Sequence, residues 1–392
     1  MTQRPAPVLT ARALGRATLE RQLLLRRSEM TAFDAVEWLL GLQAQSPRPP
    51  YYALAARLAG FRPQELSGLL ETRQAVRISV MRSTIHLVSA RDARLLRSLT
   101  ESVHDRTLRG NFSKQLVGVD LDRLAAVART LVEERPLTFK ELGERLQEEW
   151  PERDRQPLAM AARQLLPLVQ VTPRALWGRS GQAAHTTLDA WLAREPESES
   201  GPREREPQPH EGPQSALGAV LLRYLAAFGP ASVKDMQTWC GLTRLGEVVD
   251  PLRPRLRTFR DEHGVELFDL PDAPLPDPDT EAPVRFLPEF DNVALSHADR
   301  SRIIAPEWHG RTWDRNVAYR SFLVDGTIRG LWVVQVAGGI AQLTVEPFAP
   351  LTRAERAAVE DEAAGVLRMT APDARYDIRY GQVAKSAARD AS

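Results

Sequence analysis

PLTFKEL at residues 136–142 and PASVKDM at residues 230–236 carry the same signal in different letters. Each begins with proline, sets a hydroxyl residue (Thr138 or Ser232) before a short apolar-patterned run, and places an acid three residues on, Glu141 or Asp235. A hydroxyl that accepts from the third amide of a helix, with a carboxylate reaching back to the cap, is a capping box. A short helix is therefore predicted to start at each point. Upstream of each lies an amphipathic helical pattern, DLDRLAAVARTLVEE or SALGAVLLRYLAAFG. Downstream come a third helical pattern, QPLAMAARQLLPLVQ or TRLGEVVDPLRPRL, and then a strand pair.

Helix, capped helix, third helix and β-hairpin is the order of a winged helix-turn-helix. Residues 10–105 fit the same order, with a helix over 11–26, then TAFDAVEWLLGL, YYALAARLAGF and PQELSGLLETR. The strands AVRISVM and TIHLVS follow, with Arg82 and Ser83 at their turn. The predicted class is α+β: winged helices over 10–105, 120–193 and 215–283, and a small antiparallel β region with a terminal helix over 284–392. That last region is expected to pack beside the third winged helix. Asp325-Gly326 and Gly338-Gly339 supply its hairpin turns. Residues 194–214 hold almost no large apolar side chain and read as a disordered linker. PDAPLPDPDTEAP at 271–283 reads as a shorter extended connection.

Composition bounds the function. The net charge is +1, from 52 Lys+Arg against 51 Asp+Glu, so no global basic excess advertises a nucleic acid. Only four of the cations are lysines, a skew that fits the codon bias of a GC-rich genome as well as phosphate recognition. Any basic face must come from how charge is distributed. The single cysteine, Cys240, excludes an internal disulfide and a cysteine-rich zinc site. The seven histidines form no close pair at ligand spacing, so neither metal nor cofactor is expected. No apolar run approaches a membrane span and the N-terminus lacks a signal-like apolar core, so a cytoplasmic, nucleoid-associated monomer is expected.

The stretch LLGLQAQSPRPPYYAL at 39–54 is unusual. A helix ending near Gly41 is followed by Gln43-Ala44-Gln45 and then by Pro47, Pro49 and Pro50. Proline biases the residue before it towards extended backbone, and in an extended run residues i and i+2 share a face. Both amides would then meet one small group, each offering a donor and an acceptor. Read from spacing alone, the pair is taken first as surface or capping polars.

The strings GLQAQSPRPPYYALAARL, VRISVMRSTIHLV, LPEFDNVALSHADRSRII and FLVDGTIRGLW together resemble the winged-helix DNA glycosylases of the AlkZ type. The similarity runs over roughly 10–350 in the family's order. It implies three tandem winged helices embracing duplex DNA, with Gln43 and Gln45 as the catalytic pair and Ala44 between them. Some relatives carry Asp at the second position; Gln here points to the subset associated with bulky or crosslinking adducts.

The implied activity is monofunctional cleavage of the N-glycosidic bond of N7-guanine or N3-adenine type alkylated purines in double-stranded DNA. The substrates extend to bulky adducts or interstrand crosslinks, in repair or self-resistance. The rival reading is a non-catalytic winged-helix DNA-binding regulator. Six further residues are candidate DNA contacts. Arg82 and Ser83 are placed at a wing tip, where a plain solvated turn is the alternative. His86 either approaches the sugar or is a strand histidine with its own hydrogen bond. His297, Arg300 and Arg302 offer a basic edge or structural ion pairs.

Overall fold

The computed structural model describes residues 6–193, 213–314 and 317–383. The linker expected at 194–214 lies almost wholly outside them. The architecture is mixed α+β, with helices around several small sheets. Both capping boxes form: Thr138 caps the helix Phe139–Glu149 and Ser232 caps Val233–Cys240, each with its acid returning the bond.

A six-stranded antiparallel sheet joins the first two regions. Its order is Leu42–Gln43, Ile85–Ser89, Ala75–Ser79, Leu168–Gln170, Ala184–Thr187, Leu137–Thr138. The Gln43 strand is an edge of this sheet, and Gln43 stands opposite His86. The hairpin 75–89 is thus an internal partner of residues 168–170 rather than a free wing. Two helices, Ala90–Leu99 and Glu101–Phe112, follow it and had no counterpart in the sequence reading.

The third region contains Pro213–Phe228, Val233–Cys240, a four-residue helix Gly246–Val249 and the hairpin Arg257–Asp261 with Glu266–Asp269. Val8–Leu9 joins that hairpin as a parallel strand. The helix read over 11–26 stops at Arg21, whose buried guanidinium meets both oxygens of Asp269 at 2.6 and 2.9 Å. The N-terminal helix is therefore fastened to the third region.

The C-terminal sheet departs from expectation. Its order is Arg285–Leu287, Ser321–Val324, Thr327–Ala337, Ile340–Pro347, Arg375–Tyr380, and the last pair is parallel. The helix Arg353–Thr370 supplies the crossover, which a parallel connection needs. Both hairpin turns form where expected, with positive φ at Asp325, Gly326, Gly338 and Gly339. The sheet also does not rest mainly on the third region. One face packs on Val359, Ala363 and Leu367 of its own helix together with Tyr52; the other packs on Leu19, Leu24 and Ala56. Residues of the first region thus complete the core on both sides, with Tyr52 and Ala56 one turn apart on the helix Pro49–Arg57.

Candidate glutamine site

Gly41 begins the site. Its φ of +91° and the approach of Leu87 O, 2.8 Å from where a Cβ would stand, require glycine. The chain then makes two residues of strand and bends. Pro49 and Pro50 do not prolong an extended run; they open the helix Pro49–Arg57, where a missing N–H is harmless. Gln43, in the strand, is only 7% exposed. Gln45, in the bend, is exposed. The shared-face geometry assumed an extended run that ends one residue after Gln43, so the two amides sit in different environments.

Protein contacts grip this segment from several directions. The amide of Ala44 donates to Ile85 O at 2.8 Å, and its carbonyl accepts from Arg77 Nη2 at 2.6 Å. Arg77 is buried, and burial with neighbouring Arg174 pushes it down to about 9. Asn292 donates to Gly41 O, and Ser46 donates to Glu289, which also accepts from Arg320 Nε at 2.8 Å. Asp291 receives a buried bidentate contact from Arg57 at 2.8 and 2.9 Å. Tyr51 donates to Ala175 O at 2.6 Å, and Tyr52 meets Trp332 edge to face at 5.3 Å. The hold of the LPEFDN stretch on the Gln segment is tertiary and is not visible from spacing.

Arg82 lies against Gln43: its Nη2 donates to Gln43 Oε1 at 2.7 Å and stands 3.5 Å from His86 Nε2. His86 is buried, with Nδ1 at 2.9 Å from Thr84 O. A carbonyl can only accept, so Nδ1 carries the proton and Nε2 is the acceptor. Burial first, and the Arg82 charge second, push His86 down to about 3, so it is neutral at physiological pH.

The structure brings Gln43, Gln45, Arg82 and His86 into one segment pair but separates the other candidates. Ser83 is buried and donates to Gln164 at 2.8 Å, inside the junction with the second region. His297 and Arg302 lie in the third region's interior: His297 bonds Phe228 O at 3.0 Å and Arg302 bonds Pro230 O at 3.0 Å. Burial, then Arg302, pushes His297 down to about 3. Arg300 is half-buried, and its side chain makes no hydrogen bond or ion pair among the described residues. Cys240 is buried against Met236 O, and burial pushes its thiol up to about 11, so it packs rather than attacks.

A family model described as "DNA glycosylase AlkZ-like" matches residues 36–369, most of the chain. The chain belongs to the AlkZ-like DNA glycosylase family. Membership makes it a glycosylase enzyme and sets aside the non-catalytic regulator. The chain is 24% identical over 391 residues to an interstrand DNA cross-link repair glycosylase of Streptomyces sahachiroi, covering 89% of this chain and 94% of that one. It is also similar in fold to the solved structure of the Streptomyces sahachiroi DNA glycosylase AlkZ, with a TM-score of 0.75 at 20% identity. That alignment covers 95% of this chain and 100% of the solved one. Among the described residues no helix is long and apolar enough to cross a membrane.

Proposed function

We propose that this enzyme hydrolyses the N-glycosidic bond of N7-guanine or N3-adenine type alkylated purines in duplex DNA, with interstrand crosslinks among its substrates. Its three helical regions, each closing on strands, are read as winged helices that surround the duplex. The crosslink assignment draws on the printed activity of the Streptomyces sahachiroi relative.

The observation that carries the reading is the Gln43–Ala44–Gln45 segment itself. A buried amide on an edge strand, fixed by Arg82, is followed two residues later by an exposed one in the bend, and the segment is clamped by Arg77, Asn292 and Glu289. Alkylation at N7 or N3 makes the base cationic, so the C1′–N9 bond breaks with its electron pair moving into the base. A water adds to C1′ and its proton passes to solvent. Little general acid is needed, unlike the paired carboxylates of sugar hydrolysis. What remains is to place the water and stabilise an oxocarbenium-like sugar, which neutral amides do without a tuned pKa. An amide on an exposed bend also suits an adduct too bulky for a snug flipped-base pocket.

The mechanism is hydrolytic, without lyase chemistry. Lys114, Lys140 and Lys234 are exposed, and none makes a hydrogen bond or ion pair with the Gln segment. A Schiff base needs a desolvated, placed amine. Of the candidate DNA contacts away from Gln43, Arg300 is the one proposed to meet the DNA backbone, whereas Ser83, His297 and Arg302 serve packing. A panel of duplexes with defined alkyl-purines and a crosslink tests the reading. Free modified base and an alkali-labile abasic site are expected, with strand breaks only after base or heat. Binding without base release across the panel would overturn it.

A further inference from the structure

We infer that Arg82 is a positioning residue which couples the seat of the third helical region to the orientation of Gln43. The inference rests on the reading of Gln43 as a catalytic group.

Arg82 stands in the left-handed region at φ 55 and ψ 20, a conformation that a long side chain keeps only where its surroundings enforce it. The enforcing contacts come from two parts of the chain. One Nη donates to Trp239 O, in the last turn of Val233–Cys240, and the other to Gln43 Oε1 at 2.7 Å. The C-terminus of a helix carries partial negative charge, so the guanidinium meets a favourable field there. Gly241, with φ +83, ends that helix; a Cβ on it would stand 3.2 Å from Arg82 Cα and 3.3 Å from Arg82 N. The helix end thus rests directly on the Arg82 backbone.

The chemistry follows from donor and acceptor identity. A guanidinium has donors only, so the amide of Gln43 must turn its oxygen towards Arg82. That leaves Nε2, which has no protein acceptor among the described residues, as the group Gln43 turns to a substrate. Gln43 then acts as a donor that positions the water oxygen, and stabilisation of the oxocarbenium-like sugar falls to the acceptor of the exposed Gln45. Neutral His86 shares the same guanidinium edge through Nε2 and so supports this orientation. Burial lowers Arg82 to about 10, which leaves it cationic at neutral pH and able to hold both acceptors.

The test is a mutant cycle of Arg82→Lys, Arg82→Ala, Gln43→Ala and the double variants on an N7-alkylguanine duplex. It reads single-turnover excision, duplex affinity and the salt slope of binding, with thermal melting as the check on folding. Lysine keeps the charge but loses the fork that spans two acceptors. Excision is expected to fall about 10- to 100-fold in both Arg82 variants, as for a catalytic group displaced by about 1 Å. Affinity and salt slope should stay at wild-type values, and neither Arg82 variant should add to the loss in Gln43→Ala. If Arg82→Ala does not fold, Arg82→Lys with Gln43→Ala closes the same cycle. A wild-type rate in Arg82→Lys, a salt slope reduced by about one, or multiplying losses would make Arg82 a phosphate contact and overturn the inference. A slow Gln43→Ala beside a normal Arg82→Lys removes this inference alone, and a wild-type Gln43→Ala removes the underlying reading with it.

Discussion

Asn292 donates its side-chain amide to the carbonyl of Gly41 at 2.9 Å, joining residues 251 positions apart. Three residues earlier, Glu289 accepts from Ser46 at 3.0 Å. The loop 289–292 therefore brackets the glutamine segment at both ends. Between those two bonds Asp291 is locked to Arg57, with both side chains buried. The geometry of Gln43 and Gln45 is thus set in part by a loop 243 to 251 residues away in sequence.

Breaking this bracket should be felt first as instability. Asp291→Ala leaves Arg57 as a buried charge without its partner and should cost about 3–5 kcal/mol. Asn292→Ala removes one hydrogen bond to a buried carbonyl and should cost about 1–3 kcal/mol. Urea midpoints at neutral pH check both, and Asn292→Ala should also slow excision at temperatures where it stays folded. Unchanged midpoints would show that the loop does not hold the segment.

Excision should be flat between about pH 5.5 and 8.5, since amides do not titrate in that range. His86 and His297, each held down to about 3, remain neutral throughout it. An apparent pKa near 6–7 in the single-turnover rate would instead name a working histidine.

Folding stability should depend on pH where the rate does not. His86, His185 and His297 are pushed down to about 3 and His104 to about 4, chiefly by burial, against an ordinary 6.5. Below about pH 6.5 the unfolded chain binds protons that the folded chain refuses, so stability falls with pH. Above it that contribution is complete. Melting temperature should hold steady from pH 8 to 7 and decline from about 6 to 4.5, and His104→Gln should reduce that decline if its fold is kept. A constant melting temperature down to pH 4.5 would contradict the burial of these rings.

DNA binding should weaken steeply with salt although the net charge is only +1. Each neutralised phosphate contributes about −0.9 to the log–log slope on B-DNA. Arg300→Ala should reduce that slope by about one. A flat response between low and moderate ionic strength would remove the DNA-embracing geometry.

Much of the fold was legible because it depends on local chemistry. Thr138 with Glu141 and Ser232 with Asp235 fix helix starts within one turn, and Asp325-Gly326 fixes a hairpin within two residues. The glutamine segment was legible as a motif, but its geometry was not. The shared face of Gln43 and Gln45 failed because Pro49 and Pro50 begin a helix, a choice made by Tyr51 and Tyr52 burying against distant partners. Ser83 read as an exposed wing tip, a DNA contact or a solvated turn, because nothing nearby announces that Gln164 will cover it. The parallel strand Arg375–Tyr380 is half exposed, and its pairing is decided by a crossover helix rather than by its own pattern. The hold of Asn292 and Arg77 on the segment is tertiary throughout.

The most direct measurement is single-turnover release of modified base from an N7-alkylguanine duplex by wild type, Gln43→Ala and Gln45→Ala, with folding and duplex affinity measured beside it. Loss of one positioned hydrogen-bonding group should slow excision roughly 30- to 1000-fold, towards the lower end because the cationic base already leaves readily. Affinity should be nearly unchanged, and the double variant should be slower than either single variant. Wild-type rates in both folded single variants would contradict the account.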